Sequence, residues 1–388
     1  MTHPAGAADE PSPFAFDRLR RYPDVEADNL FAVDASDRLI LDEAAGAVAS
    51  AAPGEVVVIE DRYGALTLGA AYLGGARGIR VHQDVLSGEL ALARNAADAG
   101  LTGVFRSLGL TEELLAGARV VLLQLPRSLS ALDEIAGAIA RYAVADVTVF
   151  AGGRIKHMAP AMNGVLARHF TRLDVAPARQ KSRLLVATGP IRPASAGTTP
   201  DWPHSQRHDD LAITVCAHGA AFAGTTVDIG TRYLLEFLGR MKPGARTAID
   251  LGCGTGVLAA GLALRRPELT VLAADQSAAA VASAGATMAA NGLTDRVRVI
   301  RDDALANRPD ASAELILLNP PFHIGSSVHA GIALKLFHDA ARVLAPGGEL
   351  WTVWNTHLGY RPALTRIVGP THQVGRNTKF TVTVSTRS

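Results

Sequence analysis

The chain has 388 residues, of which 48% are hydrophobic and 19% charged, with a formal net charge of +1. This composition excludes an intrinsically disordered chain, and the length favours two domains over one. Two cysteines are too few for a disulfide framework, so we expect a protein of the reducing cytoplasm. Because the sequence shows neither a bilayer-length apolar run nor a signal peptide, we expect no membrane partner.

The two halves of the sequence carry the same short motifs in the same order, at an offset of roughly 190–200 residues. Each half alternates short apolar runs with Ala- and Leu-rich stretches, which is typical of βαβ units on a parallel sheet. The sequence therefore predicts an α/β fold in which a Rossmann-like domain occurs twice in tandem. The pairs that we expect to be equivalent include Asp34 with Asp228, Glu60 with Asp250, Asp84 with Asp275, and Gln124 with Asn319.

A segment rich in proline and glycine separates the two halves. We predict a first domain over residues 1–188, a linker over 189–210 and a second domain over 211–388. His204 and His208 fall in this linker, where we expect a solvated loop and no metal site. In the second domain the pattern predicts strands near 246–250, 270–274, 297–301, 314–318, 349–354 and 379–385, and helices near 256–265, 278–290 and 328–344.

A glycine-rich loop follows the first of these predicted strands. Its residues are Asp250, Leu251, Gly252, Cys253, Gly254, Thr255 and Gly256. Glycines let the backbone turn sharply and approach a ligand closely, and the helix that follows offers unpaired N–H groups. The G-x-G-x-G spacing differs from that of dinucleotide sites, and the leading carboxylate suits a cationic amino-acid cofactor better than a pyrophosphate. We therefore expect Asp250, Gly252, Cys253, Gly254 and Gly256 to bind such a cofactor.

Two further acids come at the carboxyl ends of the next two predicted strands. Asp275 follows the second strand, where a carboxylate can accept hydrogen bonds from both hydroxyls of a ribose. Asp303 follows the third strand, where it could accept a hydrogen bond from an adenine amine. Each acid alone is more often a turn or capping residue. Together with the glycine loop they converge on the edge at which open α/β sheets bind ligands.

The tetrapeptide Asn319-Pro320-Pro321-Phe322 follows the predicted strand 314–318. The Asn319 side-chain oxygen and the Pro320 carbonyl could accept the two N–H groups of an exocyclic amine and turn its lone pair out of the ring plane. The prolines fix the backbone, and Phe322 offers a flat face on which a base can stack, worth about 1–3 kcal/mol. We predict that these four residues are catalytic and that Asn319 also lines the cofactor site.

The loop from Asp250 to Gly256 resembles motif I of class I S-adenosylmethionine-dependent methyltransferases. Asp275 and Asp303 stand where that family places its contacts to ribose and adenine. The tetrapeptide resembles the motif of amino-methyltransferases that act on planar amines. With Phe322 in its fourth place, followed by His323, it is similar to bacterial two-domain methyltransferases of guanine N2 in small- and large-subunit ribosomal RNA.

This resemblance covers nearly the whole chain, because Gly152–His157, Asn355–Tyr360 and the pair at 379–380 also match the family's signatures. It implies S-adenosylmethionine as cofactor and ribosomal RNA or a ribosomal subunit as partner, with no oligomer required. It also implies that the C-terminal domain is catalytic and that the N-terminal one is a degenerate copy that helps to hold RNA. The residues agree, since the first copy keeps one glycine in its loop and reads Gln124-Leu125-Pro126-Arg127 in place of the tetrapeptide.

Two other functions stay open from the sequence. One is methyl transfer to another planar amine, such as adenine N6 or a protein glutamine. The other is a non-catalytic role as an RNA-binding or ribosome-assembly factor. A cysteine nucleophile is disfavoured, because Cys253 lies inside the glycine loop and does not follow a proline.

Overall fold

A computed structural model describes residues 14–192, 201–321 and 326–388, with the backbone alone for 326–330. The described chain separates into two compact units. Residues 14–83 and 87–192 form the first unit, and residues 84–86 group with those from 201 onward in the second. Phe322, for which we predict a stacking role, lies outside the described residues.

The first unit contains one mixed sheet flanked by helices. Its strands are β1 (Val56–Ile59), β2 (Ile79–His82), β3 (Phe105–Ser107), β4 (Val120–Gln124), β5 (Thr148–Arg154), β6 (Phe170–Val175) and β7 (Ser182–Pro190). Its helices are α1 (Ala35–Ser50), α2 (Ala65–Gly74), α3 (Leu86–Asp98), α4 (Glu112–Leu115), α5 (Leu129–Tyr142) and α6 (Ala161–His169). The strand order is β3-β2-β1-β4-β5-β7-β6, with β7 antiparallel to both of its neighbours.

The second unit repeats this architecture after a short hairpin. The hairpin strands are β8 (His204–His208) and β9 (Ile213–Ala217), and the sheet strands are β10 (Thr247–Leu251), β11 (Thr270–Asp275), β12 (Val297–Arg301), β13 (Ala313–Leu318), β14 (Leu344–Asn355), β15 (Thr371–Arg376) and β16 (Phe380–Thr386). The helices are α7 (Ile229–Leu235), α8 (Val257–Arg265), α9 (Ala278–Ala290), α10 (Ser326–Val343) and α11 (Arg361–Ile367). The strand order, β12-β11-β10-β13-β14-β16-β15, reproduces that of the first sheet.

Two apolar cores form on the two faces of the second sheet, because successive side chains of a strand point to opposite faces. In β13, Leu315 and Leu317 belong to one core, whereas Ile316 and Leu318 belong to the other. All four side chains are fully buried. This arrangement explains the continuous apolar run in the sequence, which is typical of a parallel strand covered by helices on both faces. The predicted fold class, two tandem Rossmann-like α/β domains, is confirmed.

The linker predicted over 189–210 is partly strand. Strand β7 continues to Pro190, and β8 pairs antiparallel with β9. His208 is buried, and one of its ring nitrogens lies 2.8 Å from the Thr225 carbonyl oxygen, so the expected solvated loop is wrong for this part. The strand escaped detection because its other four residues are polar and exposed, which leaves no alternation of apolar side chains.

Among the described residues, no helix combines the length and the apolar character that crossing a bilayer requires.

Candidate active site

The glycine loop between β10 and α8 adopts the backbone that its sequence predicts. Gly252, Gly254 and Gly256 have φ angles of +69°, +54° and +78°, in the left-handed region that favours glycine. A Cβ on Gly252 or Gly254 would meet no atom within 4 Å, so these two positions border open space. A Cβ on Gly256 would lie 2.9 Å from Met288 Cε, so that glycine is also needed for packing against α9.

Asp250 is a buried acid at the end of β10, and one of its two carboxylate oxygens lacks a hydrogen-bond donor among the described residues. Its Oδ2 accepts a hydrogen bond from the Ala259 backbone N–H at 2.9 Å, whereas Oδ1 is buried without a partner in the described structure. Burial raises the pKa of this carboxyl to about 7. A buried acceptor without a donor is costly, so its presence indicates a ligand that supplies one.

Asp275 ends β11 and holds the glycine loop in place. Its Oδ2 accepts from the Gly254 backbone N–H and its Oδ1 from the Ser277 backbone N–H, both at 2.9 Å. Burial raises the pKa of this carboxyl as well. Each carboxylate oxygen has a second acceptor site, so two hydroxyls can still bind to a group whose orientation is already fixed.

Asp303 follows β12 and forms an ion pair that the sequence did not predict. The Lys335 ammonium, on α10, donates to Asp303 Oδ2 at 2.5 Å. Asp303 is only 8% exposed, whereas the Lys335 side chain is 37% exposed. Its neighbour Asp302 instead accepts from the Asn307 side chain at 2.9 Å and closes the local turn. Because Lys335 engages Oδ2, Oδ1 is the oxygen through which Asp303 could contact a base.

Cys253 lies within the loop and is not activated as a nucleophile. Its side chain is 8% exposed, and burial raises the pKa of the thiol well above its ordinary value. A nucleophilic cysteine needs a lowered thiol pKa, so the geometry argues against covalent catalysis here. Cys253 contributes packing and backbone to the loop.

Asn319, at the end of β13, is held in one orientation by two residues of the helix α7 region. Its Nδ2 donates to Asp228 Oδ2 and to Thr231 Oγ1, both at 3.0 Å. A carboxylate only accepts hydrogen bonds, so the amide nitrogen must face Asp228 and the amide oxygen must face away. That oxygen is buried and has no donor among the described residues. Asn319 therefore presents an oriented, unused acceptor.

Asp228 and Thr231 are themselves fixed by the start of α7. Asp228 is the N-cap residue, and its Oδ2 also accepts from the Thr231 backbone N–H at 3.0 Å. Gly230 leaves room for this arrangement, since a Cβ there would lie 3.0 Å from Asp228 Oδ2 and 3.4 Å from Asn319 Oδ1. From the sequence, Asp228 is recognisable only as part of the repeat. Capping acids are common, and the local sequence does not show which distant residue such an acid contacts.

The predicted site residues meet at one edge of the second sheet. Strands β12, β11, β10 and β13 are neighbours in that order, so the residues at or just after their carboxyl ends share an edge. Those residues are Asp303, Asp275, Asp250 and Asn319. Of the tetrapeptide, Pro320 is buried and Pro321 is exposed. The described residues contain no group of three or more His, Cys, Asp or Glu side chains placed to hold a metal ion.

The first unit keeps the shape of this loop with only one of its three glycines. Glu60, Arg62 and Gly64 have φ angles of +63°, +63° and +102°. The Glu60 N–H donates to the His82 carbonyl just as the Gly252 N–H donates to the corresponding carbonyl of β11. Glu60 is therefore equivalent to Gly252, and its predicted pairing with Asp250 is wrong by two residues. For an L-residue this backbone costs about 1–3 kcal/mol, which the surrounding fold must offset.

The register of the parallel strands corrects a second predicted pair of equivalent residues and confirms a third. Ile59 pairs with His82 as Leu251 pairs with Ala274, so Gln83 and not Asp84 is equivalent to Asp275. The sequence missed this because a shift of one residue leaves the apolar pattern of a buried strand almost unchanged.

The same comparison pairs Gln124 with Asn319, as predicted, since Ile59 lies opposite Leu123 and Leu251 opposite Leu318. Asp34 and Asp228 also correspond, because each caps the helix that precedes the first strand of its sheet.

The amide of Gln124 is occupied where that of Asn319 is open. Gln124 Nε2 donates to Ser36 Oγ at 2.9 Å and to Asp37, and its Oε1 lies 3.2 Å from the same Ser36 hydroxyl. Asp61, in the loop, replaces the strand-end acid and accepts from the Leu66 and Thr67 backbone N–H groups. At these two positions the first unit satisfies internally polar groups whose counterparts in the second unit keep an oxygen without a donor.

Comparison with known proteins agrees with this division of the chain. Residues 11–190 match the model of the RLMG N-terminal domain, and residues 212–384 match the methyltransferase small domain. The solved 16S rRNA N2 methyltransferase of T. thermophilus, in complex with AdoMet and guanosine, superposes with a TM-score of 0.72 at 21% identity and covers 92% of each chain.

Curated relatives of nearly equal length are named ribosomal RNA large subunit methyltransferase G. The protein of Pseudomonas paraeruginosa is 35% identical over 96% of this chain and 97% of its own. That of Streptomyces avermitilis is 34% identical, with coverage of 96% and 97%. The chain therefore belongs to the ribosomal RNA large subunit methyltransferase G family of S-adenosylmethionine-dependent methyltransferases.

Proposed function

We propose that the second unit transfers the methyl group of S-adenosylmethionine to the exocyclic N2 of a guanine in ribosomal RNA of the large subunit. The observation that carries this proposal is the oriented, unused acceptor of Asn319 beside the glycine loop. The names of the relatives support the large subunit, and the guanosine bound to the structurally similar 16S methyltransferase supports a guanine.

The residues at the sheet edge fit the cofactor. The open space beside Gly252 and Gly254 admits a ligand close to the backbone, and the unpartnered Asp250 Oδ1 suits an ammonium group. Asp275 has the remaining acceptor sites for ribose hydroxyls, and Asp303 would accept a hydrogen bond from the adenine amine. When bound, S-adenosylmethionine supplies a methyl group activated by its positively charged sulfur.

The chain's own contribution to catalysis is orientation. The exocyclic amine of guanine is a weak nucleophile because its lone pair is delocalised into the ring. Asn319 Oδ1, and the Pro320 carbonyl beside it, would accept the two N–H groups and turn the lone pair out of the ring plane. Holding the amine in this geometry replaces activation by a strong base, and well-oriented reactants can gain about 7–11 kcal/mol from proximity alone. The proton then leaves after the nitrogen has become cationic.

The partner follows from this chemistry. We propose ribosomal RNA or the assembled subunit as the substrate, and the cytoplasm as the place of reaction, where both free cysteines stay reduced. Each polar group invoked for catalysis belongs to the second unit of a single chain, so the mechanism requires no oligomer.

The test is methyl transfer from labelled S-adenosylmethionine to large-subunit RNA, small-subunit RNA and assembled subunits, followed by nucleoside analysis. We expect labelled N2-methylguanosine from the large subunit or its RNA. Label in N6-methyladenosine, or in a protein glutamine, would move the assignment to another planar amine. Absence of cofactor binding would favour the non-catalytic alternative, an RNA-binding or assembly factor.

A further inference from the structure

The first unit contains a cleft at the place where its cofactor site has been lost. The cleft has a volume of about 120 Å³ and is partly open to solvent. Its lining includes Phe31, Arg62, Gln124, Arg127, Arg154 and His157. Arg62 stands where the catalytic copy has Gly254, and Arg127 stands where the tetrapeptide has Phe322. We call these six residues and the space between them the N-terminal cationic pocket.

The charges of the pocket arginines are not neutralised by acids of the described chain, although Arg127 Nη2 lies 3.4 Å from His157 Nε2. In the described chain, neither Arg62, Arg127 nor Arg154 forms an ion pair with a carboxylate. Arg62 and Arg127 are exposed, and the buried Nε of Arg154 has no hydrogen-bond partner among the described residues. Three guanidinium groups around one cleft repel each other, so the arrangement indicates an anionic ligand.

Three acids also line the cleft, of which only Asp34 is exposed. Asp34 Oδ1 accepts hydrogen bonds from the Ser36 backbone N–H and hydroxyl. Asp37 and Asp61 are buried, and each accepts hydrogen bonds from backbone N–H groups of its own surroundings. Burial raises the pKa of Asp37 to about 7 and that of Asp61 above its ordinary value. The pKa of His157 is lowered by burial and then by Arg127, Lys156, Arg62 and Arg154, which reflects a positive local potential.

Phe31 adds an aromatic face to the charged lining. Its side chain is 72% exposed. Exposure of a phenyl ring to water contributes no stability to the fold. An exposed aromatic ring next to guanidinium groups is the combination that binds single-stranded nucleic acids, since a base stacks on the ring while the cations contact phosphates. A paired base is already stacked in its helix and cannot use such a face.

We infer that the N-terminal cationic pocket binds an unpaired nucleotide of the substrate RNA, with its base on Phe31 and its phosphates on Arg62, Arg127 and Arg154. The inference rests on RNA being the substrate, as proposed above. It gives the degenerate copy a binding role of its own at the position of the former cofactor site.

The test is binding of a fluorescent strand of eight uridines to the full chain at several salt concentrations. We expect Arg62→Gln with Arg127→Gln to weaken binding at least about tenfold and to lower the salt slope by about 1.4, since each phosphate contact on a single strand contributes about 0.7. Phe31→Ala should weaken binding by about tenfold and Phe31→Trp should restore it. Thermal melts should show that all variants fold.

A charge-matched control is the double variant Arg106→Gln with Arg172→Gln, whose side chains are 63% and 72% exposed and lie outside the pocket. Equal loss in this control, or unchanged binding in the pocket variant, would overturn the inference. So would equally tight binding of an RNA duplex or of free uridine monophosphate.

Failure of this inference is distinguishable from failure of the proposed function. If the pocket variants bind the strand normally while the unaltered chain still methylates RNA, only the pocket assignment fails. If the unaltered chain methylates no RNA but the pocket variants still lose strand binding, only the proposed function fails. Cofactor binding, measured in the same variants, should be unchanged because Arg62 and Arg127 belong to the other unit.

Discussion

The reaction proposed for this chain depends on the orientation of one amide. Asn319 was predicted from its place after a strand and before two prolines. Its hydrogen-bond partners were not, because Asp228 and Thr231 lie 91 and 88 residues earlier in the chain. Contacts at such a distance depend on strand order, which a local sequence pattern does not contain. Lys335, the partner of Asp303, was missed for the same reason.

Removing one of the two restraints on Asn319 should slow methyl transfer without weakening cofactor binding. We predict that Thr231→Val, which keeps the shape but loses the hydroxyl acceptor, lowers the single-turnover rate about tenfold, since small losses of orientation are costly. Thr231→Ser should recover most of the rate. A rate equal to that of the unaltered chain in Thr231→Val would show that the hydroxyl does not position the amide.

The buried acid of the glycine loop should make cofactor binding depend on pH. Burial raises the pKa of Asp250 to about 7, so below that pH the carboxyl is increasingly protonated and attracts an ammonium group less well. We predict that affinity for S-adenosylmethionine rises with pH by up to about tenfold per unit to about pH 7 and then levels. Asp250→Asn should bind weakly and without this slope, measured by calorimetry; a slope that persists in this variant would assign it to another group.

At the scale of the element, the same strand–loop–helix segment occurs in both units with different residues. Three left-handed positions recur, filled by three glycines in the second unit and by Glu60, Arg62 and Gly64 in the first. Backbone shape therefore follows from the fold, whereas the open space beside it follows from the missing side chains. Sequence reasoning located the loop but misplaced its equivalent in the first half by two residues.

Strands with clear apolar runs were predicted closely, and those without were not. Strand β12 was expected at 297–301 and spans Val297–Arg301. Strand β14 was expected only from 349, although it begins at Leu344, because Pro346, Gly347 and Gly348 read as a loop and the pairing with β13 is irregular there. The hairpin strand β8 and strand β15 were not predicted, since polar residues dominate both.

Two glycine substitutions should have opposite effects on stability, because one glycine lies in the loop and the other lies within a helix. We predict that Gly256→Ala destabilises the chain by at least about 1–3 kcal/mol and abolishes cofactor binding, because its φ is +78° and its Cβ would crowd Met288. Gly285→Ala, within α9, should instead stabilise by about 0.5–1 kcal/mol, since its Cβ meets nothing within 4 Å. Denaturation midpoints and calorimetry measure both; similar effects at the two positions would contradict this distinction.

At the scale of the whole molecule, the chain is a duplication in which one copy has kept the chemistry. The repeated strand order confirms the duplication that the sequence predicted. The polar atoms distinguish the two copies, because the Gln124 amide and the Asp61 carboxylate are engaged within their own unit. No sequence pattern alone could show that these atoms are satisfied.

This division predicts the number of cofactors that each chain binds. We expect calorimetry to give one S-adenosylmethionine per chain, bound by the second unit. Asp275→Ala should abolish that binding, because it removes acceptors for the ribose and the carboxylate that fixes Gly254. A second equivalent of cofactor, or binding that survives Asp275→Ala, would show that the first unit has kept a cofactor site.

Asn319 is proposed to orient the amine that receives the methyl group. The most direct measurement compares the Asn319→Ala variant with the unaltered chain. For each protein, cofactor affinity and the single-turnover rate of methyl transfer to large-subunit RNA are measured on the same preparation. We predict unchanged affinity for S-adenosylmethionine and a transfer rate that is lower by at least about a hundredfold. Transfer at the unaltered rate would contradict the proposed site.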